Sequence, residues 1–419
     1  APYGFQSNGS TPWRSAMNRP DHTTISSQPE FGFAYSVLLA LVFGIAAFAT
    51  DMYQPAFPAI RLEFQTGAEQ VQLSLSLFLY GNAVGHLVFG PLSGRFGRKP
   101  ILLYGLVAYV VASLGCALAQ DMTQFLSCRA LQGAAAACGP VLIRALVNDR
   151  LDRDRAAQML ALLTGMMALG AMLTPVAGGW LVQHASWRWI FLSITGLALG
   201  LLAVTAVSTR ESLDKSLRLQ RLDAAELSRG YLEIGCTPVF WAFVLPPAMM
   251  FSGVFAYVGV NSFLLIEQLG VSAQLQGILF SCAASAYVAG SFASNRLVAW
   301  AGVERAIVIG LGLGVVTALA SVIASIVLPL SVALILIPGI CMFFATALLV
   351  PVALSAAVSL FPTRAGSASA VAGFTQLTFA GISTALGAWL VTDSALLLHT
   401  FTRLVCVIAS LGWFGGLQQ

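Results

Sequence analysis

The stretch Gly90-Pro91-Leu92-Ser93-Gly94-Arg95-Phe96-Gly97-Arg98-Lys99-Pro100 decides the fold. It is a glycine-rich turn with three cations, set between two long apolar runs. Glycine lets two helix ends come close. Cations in such a turn anchor to lipid phosphates or to a neighbouring helix C-terminus. The stretch reads as a short connection on the cytoplasmic face between two membrane-spanning helices.

Composition agrees. The chain has 419 residues, of which 58% are hydrophobic and 9% charged. An ordinary soluble domain carries roughly 25% charged residues. So little charge excludes a cytosolic enzyme, a nucleic-acid binder and a disordered chain. Apolar runs of about 20 residues select helices over a barrel. The expectation is an all-α polytopic membrane protein, because lipid requires backbone groups to be satisfied within each segment.

Twelve spans are predicted, at 33–55, 69–92, 100–119, 124–147, 157–182, 189–208, 238–263, 274–296, 304–327, 330–355, 366–391 and 394–415. The polar stretch 209–236 divides them into six and six. The expected organisation is a disordered arm 1–32, an N-terminal six-helix bundle 33–208, a cytoplasmic linker 209–236 and a C-terminal six-helix bundle 237–419. Met17 is read as a natural start, with 1–16 upstream of it. In the linker, Leu213, Leu217, Leu219 and Leu222 interleave with charges, which suggests a short amphipathic helix on the inner membrane surface or a plain solvated connection.

Orientation follows from Lys and Arg. With the N-terminus inside, sixteen basic residues lie in the arm and cytoplasmic loops, against Arg61 and Arg188 outside. Both termini are therefore expected in the cytoplasm. Arg129, Arg144 and Arg403 fall within spans. A faint repeat pairs the Gly90–Arg98 turn with Gly290-Ser-Phe-Ala-Ser-Asn-Arg296, as in transporters built from two related bundles. The seven cysteines form no CxxC pair, so neither a disulfide framework nor a metal site is expected. No GxxxxGK[ST] stretch is present to bind ATP.

The opening stretch resembles the loop signature of the major facilitator superfamily, G-x-L-[SA]-D-R-x-G-R-[KR]-P, except that the family's Asp is Gly94 here. Thr50-Asp51-Met52-Tyr53-Gln54-Pro55-Ala56-Phe57-Pro58 is similar to the D-M-Y-x-P-x-x-P signature of twelve-helix drug:proton antiporters, especially the Bcr/CflA (bicyclomycin/chloramphenicol resistance) subfamily. Arg129-Ala-Leu-Gln132-Gly133 resembles the family's R-x-x-Q-G motif. Gly170-Ala-Met-Leu-Thr174-Pro175-Val-Ala-Gly178-Gly179 resembles the antiporter motif, with Thr174 in place of a Gly. Phe361-Pro362-Thr363-Arg364-Ala365-Gly366-Ser367-Ala368-Ser369-Ala370, continuing to Gly373 and Gln376, resembles the same subfamily's signature.

The resemblance implies two bundles alternating access around a midplane site, and proton-driven export. In the family the missing Asp joins a charge network that closes the cytoplasmic side, so the implied latch falls to Arg95 and Arg98. Gly90, Gly97, Gly170, Pro175, Gly178, Gly179, Arg364 and Gly366 are the other expected gating or bending positions.

Asp51 is the only carboxylate well inside a predicted span. A charged Asp at membrane depth costs roughly 2.5–3.5 kcal/mol on insertion scales. It persists if protonated, paired or facing a cavity, and each state suits a proton carrier. The alternative is a helix-end residue in the outer interface. Arg129 is expected to pair with Asp51, with Gln132 on the same face; a purely structural arginine is the alternative. His86 is a candidate proton relay or a packed histidine. Arg144 is expected to snorkel, and the acids and arginines of 149–155 to form a solvated loop.

Candidate substrate-lining residues are Tyr53, Tyr80, Asn82, Met166, Met167, Phe255, Tyr257, Asn261, Tyr287, Phe344, Phe374 and Gln376, with core packing the alternative for each. An aromatic and methionine surface suits moderately apolar, loosely specified compounds.

The reading is a proton-coupled secondary exporter (drug:H+ antiporter) of drug-like or toxic small molecules, with no cofactor beyond the coupling proton. A monomer in a bacterial inner membrane is expected, with a small-molecule substrate, protons and lipid as partners. A proton-coupled transporter of a natural metabolite is the closest rival. A non-transporting receptor or membrane enzyme is remote, because no soluble sensory domain or convergent catalytic set is present.

Overall fold

The computed structural model describes residues 32–218 and 224–390. The predicted arm and the predicted span at 394–415 lie outside the described residues. Among the described residues, every regular element is a helix.

The first predicted span is broken. Helix α1 (Phe33–Phe43) ends at Gly44 and α2 (Ile45–Asp51) begins there. A 3₁₀ turn (Gln54–Ala56) and α3 (Phe57–Glu63) continue the chain, bent by 52° from α1. Gly44 is a weak helix former, and a Cβ there would stand 2.8 Å from Met167 Cγ. Pro55 and Pro58 lack the N–H that a continuing helix needs.

The next spans are α4 (Ala68–Phe96), α5 (Arg98–Leu118), α6 (Met122–Ala136) with α7 (Cys138–Arg150), α8 (Arg153–His184) and α9 (Arg188–Ser208). Asp121 and Asp152 cap α6 and α8 by accepting from the Gln124 and Arg155 backbone N–H groups. The linker holds α10 (Ala224–Gly235), and after it come α11 (Pro238–Ser262) with a π turn (Phe263–Gln268), α12 (Ala273–Ala301), α13 (Val303–Val327), α14 (Val332–Ser359) and α15 (Ala365–Leu390).

Among the described residues nine helices are long and apolar enough to cross a membrane, or ten with the bent first pair. The 26-residue α15 matches the predicted 366–391 but stands outside that apolar set. Its Ser367, Ser369, Thr375, Gln376, Thr378, Ser383 and Thr384 interrupt its apolar run.

Within the linker 209–236, residues 215–217 form a single 3₁₀ turn, Leu219 and Leu222 lie outside the described residues, and the amphipathic helix is α10, C-terminal to the leucines that suggested one. It buries Ile234, and its Tyr231 hydroxyl donates to the Leu87 carbonyl at 3.1 Å.

Helices before the linker pack mainly on one another, as do those after it. The two sets meet where α4 lies on α15 and α8 lies on α12. Without a hydrophobic drive in lipid, association depends on small residues that let backbones approach. At Gly133 on α6, an added Cβ would overlap the Phe78 carbonyl of α4. At Gly85 on α4 it would stand 2.5 Å from the Ala134 carbonyl oxygen. Gly133→Ala is expected to force α4 and α6 apart and lower stability by about 1–3 kcal/mol. Unfolding of the detergent-purified protein in a denaturant titration measures this, and an unchanged midpoint would refute the close-packing account.

Candidate functional site

Among the described residues Arg129 is the largest fully buried side chain. It rises from α6 into a cage of aromatic rings: its guanidinium carbon lies 4.4 Å from the Phe78 ring centre, 4.5 Å from that of Tyr53 and 5.8 Å from that of Phe191. Desolvated cation–π contacts are worth about 2 kcal/mol or more. Nη1 donates to the Ala49 carbonyl of α2 at 3.2 Å and to Gln132 Oε1 at 2.6 Å, while Nε and Nη2 have no partner.

The chain of bonds continues through α5. Gln132 Nε2 donates to Ser113 Oγ at 2.8 Å, Ser113 donates to the Tyr109 carbonyl at 2.7 Å, and the Tyr109 hydroxyl donates to the Ile45 carbonyl at 3.0 Å. Tyr53 is fully buried, with its hydroxyl bonded to Ser74 and the Val71 carbonyl. It belongs to this cage rather than to an open lining surface. Arg129→Lys keeps the charge but cannot span Ala49 and Gln132 while covering two rings. It is expected to lower stability by about 1–3 kcal/mol, the cost of unsatisfied buried polar groups. Equal unfolding midpoints for the two proteins would show that charge alone suffices.

Asp51 ends α2 and is half-buried. The Thr50 hydroxyl lies 3.0 Å from its Oδ1. The expected ion pair with Arg129 is not formed: no cation among the described residues lies within ion-pair distance of Asp51. Helical periodicity explains this. Arg129 meets the carbonyl of Ala49, and a residue two positions on points about 200° away around the helix.

Helix α8 covers this segment. A Cβ at Gly178 would overlap the Met52 carbonyl, and one at Gly170 would stand 3.0 Å from Phe48 Cε1. Pro175 lies inside α8, with its carbonyl against Gly277 of α12, and Gly179 packs against Ala273. Thr174 turns its hydroxyl onto the Ala171 carbonyl at 3.4 Å.

The other predicted lining residues divide by burial. Asn82, Tyr257 and Asn261 are buried, and the Tyr257 hydroxyl and both amide atoms of Asn261 lack partners. Tyr80, Met166, Met167, Phe255, Tyr287, Phe344, Phe374 and Gln376 are half-buried. Tyr80 lies against Gly381 of α15, and Phe255 packs tilted against Phe251 with ring centres 5.0 Å apart. His86 is half-buried on α4, against Gly373 of α15.

The basic turn also departs from expectation. Arg95 is exposed, and among the described residues it makes only a stacking contact with the Phe96 ring, at 5.1 Å. Arg98 carries the connections. Its Nε donates to Asp149 Oδ2 at 2.9 Å, its Nη1 to Ser93 Oγ at 2.8 Å, and its backbone N–H to Glu211 Oε1 at 2.9 Å. Asp149 also accepts from the Ser212 hydroxyl at 3.0 Å, so it is a structural acceptor rather than part of a solvated loop. Glu211 further accepts from the Ser212 and Leu213 N–H groups, at 3.0 Å each, and lies 3.6 Å from Arg218.

Gly97 turns the chain at φ 101°, a conformation that disfavours a side chain, and a Cβ there would also overlap Glu211. Gly90 and Gly366 face open space, and Arg364 pairs with Glu233 of α10. Sequence reasoning missed Asp149 and Glu211. The available signal was Gly94, which leaves Arg98 to find a carboxylate elsewhere. At the other end, Glu267 pairs with Arg61 across the two helix sets. A double-mutant cycle of Asp149→Asn and Glu211→Gln is expected to show a coupling energy of about 0.5–3 kcal/mol through Arg98. Strict additivity in unfolding experiments would refute the shared network.

This bent first span, the glycine-packed helix pairs and the basic turn define a multi-pass helical membrane transporter. The Major Facilitator Superfamily profile matches residues 39–388, and the chain belongs to that family. Its relatives are transporters of small molecules, not enzymes. The chain is 32% identical to an uncharacterized MFS-type transporter, YdgK, of Bacillus subtilis, over 63% of this chain and 66% of that one, just under two thirds of its length. It is 26% identical to a bicyclomycin resistance protein homolog of Haemophilus influenzae over 92% of this chain and 96% of the relative. It is 34% identical to a chloramphenicol resistance protein of Pseudomonas aeruginosa over 62% and 61%. The fold is similar to the crystal structure of a D-xylose-proton symporter, with TM-score 0.72 at 16% identity, covering 91% of this chain and 97% of that one.

Proposed function

We propose that the chain is a proton-coupled exporter of drug-like or toxic small molecules, a monomer in a bacterial inner membrane with both termini in the cytoplasm. The observation that carries the reading is Asp51. It is a carboxyl within the bent first span; among the described residues its hydrogen-bond partner is its neighbour Thr50, and no cation lies within ion-pair distance. A charge at that depth is costly, so such a group takes up a proton or is solvated through an opening.

Its position also offers a route to conformational change. Met52, the next residue, touches α8 at Gly178, and α8 touches α12 through Pro175 and Gly277. A change in the charge state of Asp51 therefore acts where one helix set meets the other. The half-buried aromatic and methionine side chains suit apolar compounds. The names of the bicyclomycin and chloramphenicol resistance relatives support export of that class.

Everted vesicles with a pH-sensitive dye test the coupling, with chloramphenicol and bicyclomycin as the first compounds. Wild-type protein is expected to release protons from the vesicles when compound is added. Asp51→Asn should lose this response while still binding compound and eluting as a folded protein. Full ΔpH-driven transport by that variant would sink the proposal.

A further inference from the structure

We propose that Arg144, with Ser369 and His86, forms a recognition point for an anionic group on the transported compound: a carboxylate, sulfonate or phosphonate. The inference rests on the transport reading above for the arrival of that compound.

Arg144 lies on α7 within the span Met122–Arg150. Arg129, in the same span, is sealed in its cage, whereas Arg144 keeps an exposed surface. Nη1 donates to Ser369 Oγ at 3.1 Å, across the meeting of the two helix sets. Ser369 stands in the second turn of α15, whose N-terminal end adds partial positive potential.

The neighbouring titratable group, His86 of α4, lies within electrostatic range of Arg144 and offers an imidazole N–H as a further hydrogen-bond donor. Gly373 stands one turn beyond Ser369 on the same face of α15, and a Cβ there would stand 2.9 Å from His86 Nδ1. No carboxylate among the described residues pairs with Arg144, and Asp149 on the same helix is occupied by Arg98. A guanidinium has five donors in a planar fork, and among the described residues it makes one bond to protein. The remaining fork fits a planar or tetrahedral oxyanion with two oxygens. A substrate anion and an anionic lipid headgroup share this chemistry, and the proposal commits to the substrate.

Fluorescence anisotropy of two dyes on the detergent-purified protein tests it: fluorescein as the anion and rhodamine 6G as the cation. Arg144→Gln is expected to lower the affinity for fluorescein, relative to rhodamine 6G, by about tenfold or more, the loss of a charged hydrogen-bonded pair. Arg144→Lys, which keeps the charge but not the fork, should fall between. The proposal is overturned if wild-type protein does not bind fluorescein, or if Arg144→Gln weakens both dyes equally. It is also overturned if phosphatidylglycerol in nanodiscs, compared with phosphatidylcholine alone, displaces fluorescein, since the occupant is then a lipid. Binding needs no proton gradient. An Arg144-dependent preference for fluorescein without export would sink proton-coupled export and leave this site standing.

Discussion

A buried guanidinium without a carboxylate organises one half of the molecule. Arg129 is held by a carbonyl of α2, an amide of its own helix and the rings of Tyr53, Phe78 and Phe191. A charge removed from water must be compensated by every neighbour it has. The break after α1 brings Ala49 to it, and Gln132 passes the constraint to Ser113 and Tyr109 on α5. These bonds fix α2, α5 and α6 relative to one another, and the aromatic contacts add α4 and α9. The same geometry turns Asp51 away from the arginine and leaves it with no cation in ion-pair distance among the described residues.

A second constraint is the closeness of backbones. Carbonyls of Phe78, Met52 and Pro175 face Gly133, Gly178 and Gly277, where any side chain would collide. Helices packed this way have little freedom to slide, because a shift brings a Cβ onto a carbonyl. Movements at the meeting of α8 and α12 are therefore better described as rocking than as sliding. At the basic end, Arg98 joins α5 to the end of α7 through Asp149 and to the linker through Glu211. At the opposite end, Arg61 and Glu267 join the two sets directly.

Much of this was legible in the chain. Long apolar runs placed the helices within a few residues, since a span must satisfy its own backbone. The separation of α13 from α14 at Leu328 to Ser331 followed from Pro329 and the serine cap. Gly97 and Gly178 were legible as positions of close approach because no other residue fits there. Partners were not legible. The expected pairing of Asp51 with Arg129 failed because equal depth along two helices does not fix which way each side chain faces. Asp149 looked solvated among alternating charges, and only the fold places it on Arg98.

The sequence by itself determined the class: an all-helical membrane chain with few charges at depth, a basic turn and the motifs of a known family. It did so because hydropathy, helix breaks and motif order are local properties. The tertiary structure decided which polar groups compensate one another. It put Arg129 in an aromatic cage, set Asp51 beside the Thr50 hydroxyl, and set Arg144 against Ser369 between the two helix sets. Those outcomes depend on helix rotation and on contacts between residues far apart in the chain, which no local pattern encodes.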